Sequence, residues 1–75
     1  MRDMLNARIA VRQFKGTPTW YKSSVSFYDG DNKLFTDVSP VKRLFYADAE
    51  QDGREMIKDY ERENNCKILN AKEHG

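Results

Sequence analysis

Apolar and polar side chains alternate along the first half of the chain, and that period of two predicts strands. Ala7, Ile9 and Val11 oppose Arg8, Ala10, Arg12 and Phe14. Lys15-Gly16-Thr17-Pro18-Thr19 reads as a loop, since Gly and Pro set turns. The alternation resumes from Trp20 to Tyr28, with Tyr21, Ser23, Val25 and Phe27 against Trp20, Lys22, Ser24, Ser26 and Tyr28. Asp29-Gly30-Asp31-Asn32 is the strongest turn signal in the chain. A third strand is predicted over Lys33–Val38, with Leu34, Thr36 and Val38 on one face.

Loop lengths set the register of such strands, and the apolar sides must then fall together. Closing the first loop pairs Val11 with Ser23, Ile9 with Val25, Ala7 with Phe27 and Arg12 with Lys22. Closing the second pairs Tyr28 with Lys33, Phe27 with Leu34, Val25 with Thr36 and Ser23 with Val38. All three strands then share one core side.

Ser39-Pro40 interrupts, because proline cannot donate to a ladder. Val41–Tyr46 is open between a short edge strand and an ordered connector. Asp48 reads as an N-cap, with Gln51 completing a capping box. Ala49, Gly53, Met56, Ile57 and Tyr60 then recur at helical spacing as one apolar stripe. The other side carries Arg54, Lys58 and Arg62 beside Glu55, Asp59 and Glu63, a solvated face with local pairing. Asn64-Asn65 ends the helix, and Cys66–Leu69 is open as a last strand. The predicted fold is α+β: a three- to four-stranded antiparallel sheet packed on one face by a single C-terminal helix. It forms one domain over 1–75, with 1–6 and 70–75 as poorly ordered tails.

Composition makes the core thin. Leu, Ile, Val and Phe supply 15 of 75 residues, which lies at the edge of disorder. Nine aromatics and a net charge of only +1 keep the chain among folded domains. A domain this short buries only about 60–65% of its unfolded surface. Cys66 is the sole cysteine, so no internal disulfide staples it, and with His74 it falls short of a four-ligand zinc site. No apolar run is long enough to cross a bilayer or to serve as a signal segment, so the expected setting is cytoplasmic, without a membrane role.

Catalytic signatures are missing from the pattern. No glycine-rich phosphate loop occurs. Asp29-x-Asp31-x-Lys33 fails as a calcium loop, because Lys33 stands at a ligand position and Pro40 at the twelfth. Cys66 reads as a small buried hydrophobe. The expectation is a non-enzyme with no catalytic residue, no metal site and no cofactor.

Charge distribution adds one positive feature. Residues 1–46 hold eight basic against four acidic groups, and residues 47–75 five against eight. The sheet face opposite the core should display Arg8, Arg12, Lys22 and Lys33 with Phe14, Trp20, Tyr28 and Phe35, around Ala10, Ser24 and Ser26. Arg12 directly across from Lys22 is destabilising unless an anion comes between them. Cations neutralise phosphate and rings stack on bases, so the face suits nucleic acid. The expected binding residues are Arg8, Arg12, Trp20, Lys22, Tyr28, Lys33 and Phe35. The alternative is a protein-interaction module, an inhibitor, adaptor or homodimer that uses the same face or an exposed strand edge.

Overall fold

A computed structural model of the chain describes residues 5–68 and 70–74. The alternating segments form β1 (Leu5–Phe14), β2 (Trp20–Asp29) and β3 (Asn32–Val38), followed by α1 (Tyr46–Asn64) and β4 (Asn70–His74). The sheet order is β3-β2-β1-β4. β1 and β2 pair antiparallel in the register read from the loop, with Ile9 opposite Val25 and Arg12 opposite Lys22.

β2 and β3 depart from the expected register beyond the turn. Tyr28 faces Lys33, but Phe27 faces Phe35, Val25 faces Asp37 and Ser24 faces Val38. Leu34 is therefore the extra residue of a bulge, and the expected pairs Phe27–Leu34, Val25–Thr36 and Ser23–Val38 do not form. The bulge turns Phe35 toward the helix side, where its ring stacks 4.8 Å from Phe27 and lies 5.7 Å from Tyr60. A ring in that place covers more apolar surface than Leu34 would.

The two ends of the chain also differ from expectation. Leu5 and Asn6, assigned to a tail, belong to β1, and Leu5 is buried in the core. Residues 1–4 of that tail lie outside the described residues. Asn70–His74, likewise assigned to a tail, forms β4 and pairs parallel with β1, in register from Asn6–Asn70 to Ala10–His74. The helix reverses the chain between β3 and β4, which makes β4 parallel to β1 and the sheet mixed. Residue 75 and Leu69 lie outside the described residues. Cys66–Ile68 is irregular rather than a strand, held by the Ile68 N–H donating 2.7 Å to Glu61 Oε2.

α1 starts two residues before the expected cap. Phe45 occupies the cap position without a side-chain bond, and Asp48 sits in the first turn, where its charge favours the helix N-terminus. Gln51 reaches Glu55 rather than the backbone at the cap. At the other end Asn65 adopts a left-handed conformation and the Cys66 N–H donates to the Glu61 carbonyl, a common helix stop. The stripe Ala49, Gly53, Met56, Ile57 and Tyr60 lies against β1 and β2, as the spacing predicts. Ala49, Gly53 and Ile57 are buried, and Met56, Tyr60 and Cys66 pack at the margin of a cluster of Leu5, Ala7, Ile9, Val25, Phe27, Ile57 and Ile68.

Phe27 is 2% exposed and stacks on Tyr60 with ring centres 4.4 Å apart, between helix and sheet. Phe27→Ala is expected to cost about 3 kcal/mol or more. In a domain this small that should unfold most of the population at 37 °C, as thermal melting read by circular dichroism will report.

The helix comes very close to the sheet at Gly53. A Cβ there would lie 2.5 Å from Ser23 Oγ and 2.7 Å from Ile9 Cγ2. Both atoms sit one bond from their own Cβ, so neither can swing far aside. Ser23 is fully buried and its hydroxyl has no hydrogen-bond partner among the described residues. Gly53→Ala should therefore destabilise by about 1–3 kcal/mol through overpacking, against the roughly 1 kcal/mol that alanine gains in helix propensity. Ser23→Ala removes the orphaned hydroxyl and should stabilise by about 1 kcal/mol. In that background Gly53→Ala should cost less, a coupling that a double-mutant cycle of denaturant melts measures directly.

Candidate functional site

One helix can cover one face of a sheet, and α1 covers the face of Ile9, Val25 and Phe27. Strand alternation sends the intervening residues to the uncovered side. On β1 these are Arg8, Ala10, Arg12 and Phe14, and on β2 Trp20, Lys22, Ser24, Ser26 and Tyr28. On β3 the bulge leaves Lys33 on this side and brings Thr36 and Val38 with it. Phe35 is the one expected binding residue the structure removes, because it stacks on the helix side.

The cations gather in two places, each around an aromatic ring. At one end Phe14 stacks on Trp20, with ring centres 4.1 Å apart and planes 8° from parallel. Lys22 and Lys42 hold their ammonium groups 5.9 and 4.7 Å from the Trp20 ring centre, within the range of cation–π attraction. Arg12 stands directly opposite Lys22. At the other end the Arg8 guanidinium lies 5.6 Å from the Tyr28 ring centre, and Lys33 is opposite Tyr28. In β4, Lys72 is in register with Arg8.

Between the two groups the side chains are short and uncharged, with Val38 opposite Ser24 the bulkiest. Ala10 faces Ser24, and the Ser26 and Thr36 hydroxyls hydrogen-bond to each other at 2.9 Å. No Asp or Glu occupies an uncovered-face position of β1, β2 or β3. Asp29 and Asp37 fall on the other side of the alternation, opposite Leu5 and Val25, and Asp31 is in the turn. None of Arg8, Arg12, Lys22 and Lys33 makes an ion pair among the described residues.

Lys42 escaped the sequence reading, because the alternation stops at Pro40. Residues 41–45 are a connector rather than a strand, and Tyr46 already begins α1; Arg43 anchors the connector. Arg43 and Tyr21 exchange backbone hydrogen bonds of 2.7 and 2.9 Å, and the Arg43 guanidinium grips Asp52 through two bonds of 2.8 and 2.9 Å. Asp52 raises the Arg43 pKa above its ordinary value, first by the hydrogen bonds and then by its charge. With Arg43 fixed beside Tyr21, the preceding Lys42 is fixed beside Trp20. The Asp52–Arg43 spacing carries no periodicity, so no sequence signal announces this clamp.

Elsewhere the charges are paired or scattered. On α1, Arg54 bonds Glu50 at 3.3 Å and Arg62 bonds Asp59. Among the described residues no three His, Cys, Asp or Glu side chains converge on a possible metal position. No helix of the described residues is long and apolar enough to cross a membrane. No family model matches the chain, and neither a curated protein nor a solved structure does.

The Arg12–Lys22 opposition carries a consequence for the free protein. Arg12→Glu turns a like-charge pair into an opposite one and should raise stability by about 0.2–1 kcal/mol. The gain should shrink in high salt, as screening removes both the repulsion and the new attraction. Melts at low and high ionic strength check both statements.

Proposed function

We propose that this domain binds nucleic acid through the uncovered face of its sheet. One observation carries the reading: every charged side chain at an uncovered-face position of β1, β2 and β3 is a cation, and none of them pairs with an acidic group among the described residues. Bringing phosphate against Arg8, Arg12, Lys22 and Lys33 relieves their mutual repulsion and releases counterions from the polyanion. Small residues between the cations admit a backbone at close range.

A second reading, docking on another protein, is favoured by the connector before α1. Leu44 and Phe45 are 58% and 67% exposed, and Val41 and Tyr46 are exposed beside them. Apolar groups held open in this way are a usual mark of a protein contact.

Salt separates the two. With about four phosphates neutralised, affinity for an oligonucleotide should fall about a hundredfold between 50 and 200 mM salt, whereas an apolar protein contact changes little. Arg12→Glu should nearly abolish binding. Lys58→Glu on the helix, among Glu55 and Asp59, should leave it unchanged. Fluorescence anisotropy with labelled oligonucleotides measures all three. A protein with no affinity for any oligonucleotide at low salt refutes the nucleic-acid reading and leaves the connector as the surface to pursue.

A further inference from the structure

Aromatic rings bind single-stranded bases only when a ring face is open to receive them. Trp20 is already stacked on Phe14 at 4.1 Å, and an ammonium group stands 4.7 Å from its ring centre. Tyr28 lies under the Arg8 guanidinium, and Phe35 stacks on the helix side. Phe14 remains 36% exposed at the end of β1, but Trp20 and Tyr28 have little π-surface to offer a base. They act instead as supports that hold cations in place.

The cations themselves form two poles. Arg12, Lys22 and Lys42 surround Trp20, and Arg8 and Lys33 flank Tyr28. Arg8 and Arg12 are four residues apart on one strand, about 13 Å at roughly 3.3 Å per residue. Ala10, Ser24 and the hydroxyl pair of Ser26 and Thr36 lie between the poles. A single strand presents one line of phosphates and would occupy one pole or run past both. A duplex presents two phosphate rails, and the major groove of B-form DNA is about 12 Å wide.

Resting on the proposed function, we infer that the ligand is double-stranded DNA, gripped with one phosphate rail on each pole and the small-residue waist over the major groove. Lys42 belongs to this grip, although it lies outside the strands. A-form RNA has a deep, narrow major groove, so its rails do not meet both poles in this way.

The experiment uses the full chain with a duplex DNA, each of its two strands alone, and a duplex RNA of the same sequence. The duplex DNA should bind about tenfold or more tighter than the other three at equal salt. Arg8→Ala and Arg12→Ala should each reduce the salt slope by about one, and the double variant by about two, because both poles engage together. Lys42→Ala should act like the other two. Trp20 is the chain's single tryptophan, and its emission should change little on duplex binding, since no base stacks on it. Single strands that bind as tightly as the duplex and quench Trp20 overturn the inference and leave the nucleic-acid reading standing. Equal binding of duplex RNA, or a double variant no weaker in slope than one of the singles, overturns the two-rail grip. Absence of binding to all four probes overturns both readings.

Discussion

The rest of the structure depends on how closely α1 lies on the sheet at Gly53. There the helix backbone meets Ser23 and Ile9 with no space for a methyl group. A thin core leaves few large side chains to fill the gap between a helix and a sheet, so the two layers must come together. The buried residues around that point are small or medium, with Ala7 and Ala49 beside Ile9, Val25 and Ile57. The larger rings, Phe27 and Tyr60, stack on one another along the same layer, toward the β3 side. Ser23 is left with a buried hydroxyl that has no partner among the described residues, a cost set against the voids that moving the helix away would open along the layer.

This one-sided packing determines what the other face must be. Among the described residues no element covers it, so its side chains meet solvent in the free domain. Five cations, small hydroxylic residues and rings shielded by cations suit that exposure. Holding like charges close together in the free protein still carries an electrostatic cost, and cation–π contacts offset only part of it. Under the proposed function a polyanion would remove that cost, so folding and binding would reinforce each other. The Arg43–Asp52 clamp extends the arrangement beyond the strands, because it ties the connector to both β2 and α1.

The β1–β2 register and the helix stripe were legible in the sequence because burial writes a clear period there. Arg12 opposite Lys22, and Trp20 and Tyr28 on the uncovered face, follow from the same alternation. β3 resisted because all seven of its residues are exposed, so neither of its faces carries a burial signal. Leu34, Thr36 and Val38 looked like the apolar side, whereas the bulge hands that side to Phe35. β4 was hidden for a related reason: Asn-Ala-Lys-Glu-His has no branched or aromatic residue to mark a strand, and its backbone pairing with β1 supplies the order. The helix start was misplaced because Phe45 caps without a side-chain bond, which left Asp48 as the more conspicuous signal.

The same bulge bears on which surface is free to recruit a partner. β3 is an edge strand, and an open edge invites strand addition unless something blunts it. Leu34 breaks the regular spacing of its outward backbone groups, and Lys33 and Asp37 place charges on both sides of the break. Those features make a poor template for a continuous ladder with another chain. The uncovered face has no such defence, since its residues are regular in register from Arg8 to Arg12 and from Lys22 to Tyr28. Regular backbone beneath fixed cations is what a periodic polyanion can match, and an interrupted edge is what it cannot. The chain thus spends its irregularity where association would be harmful and keeps its regularity where charge is displayed.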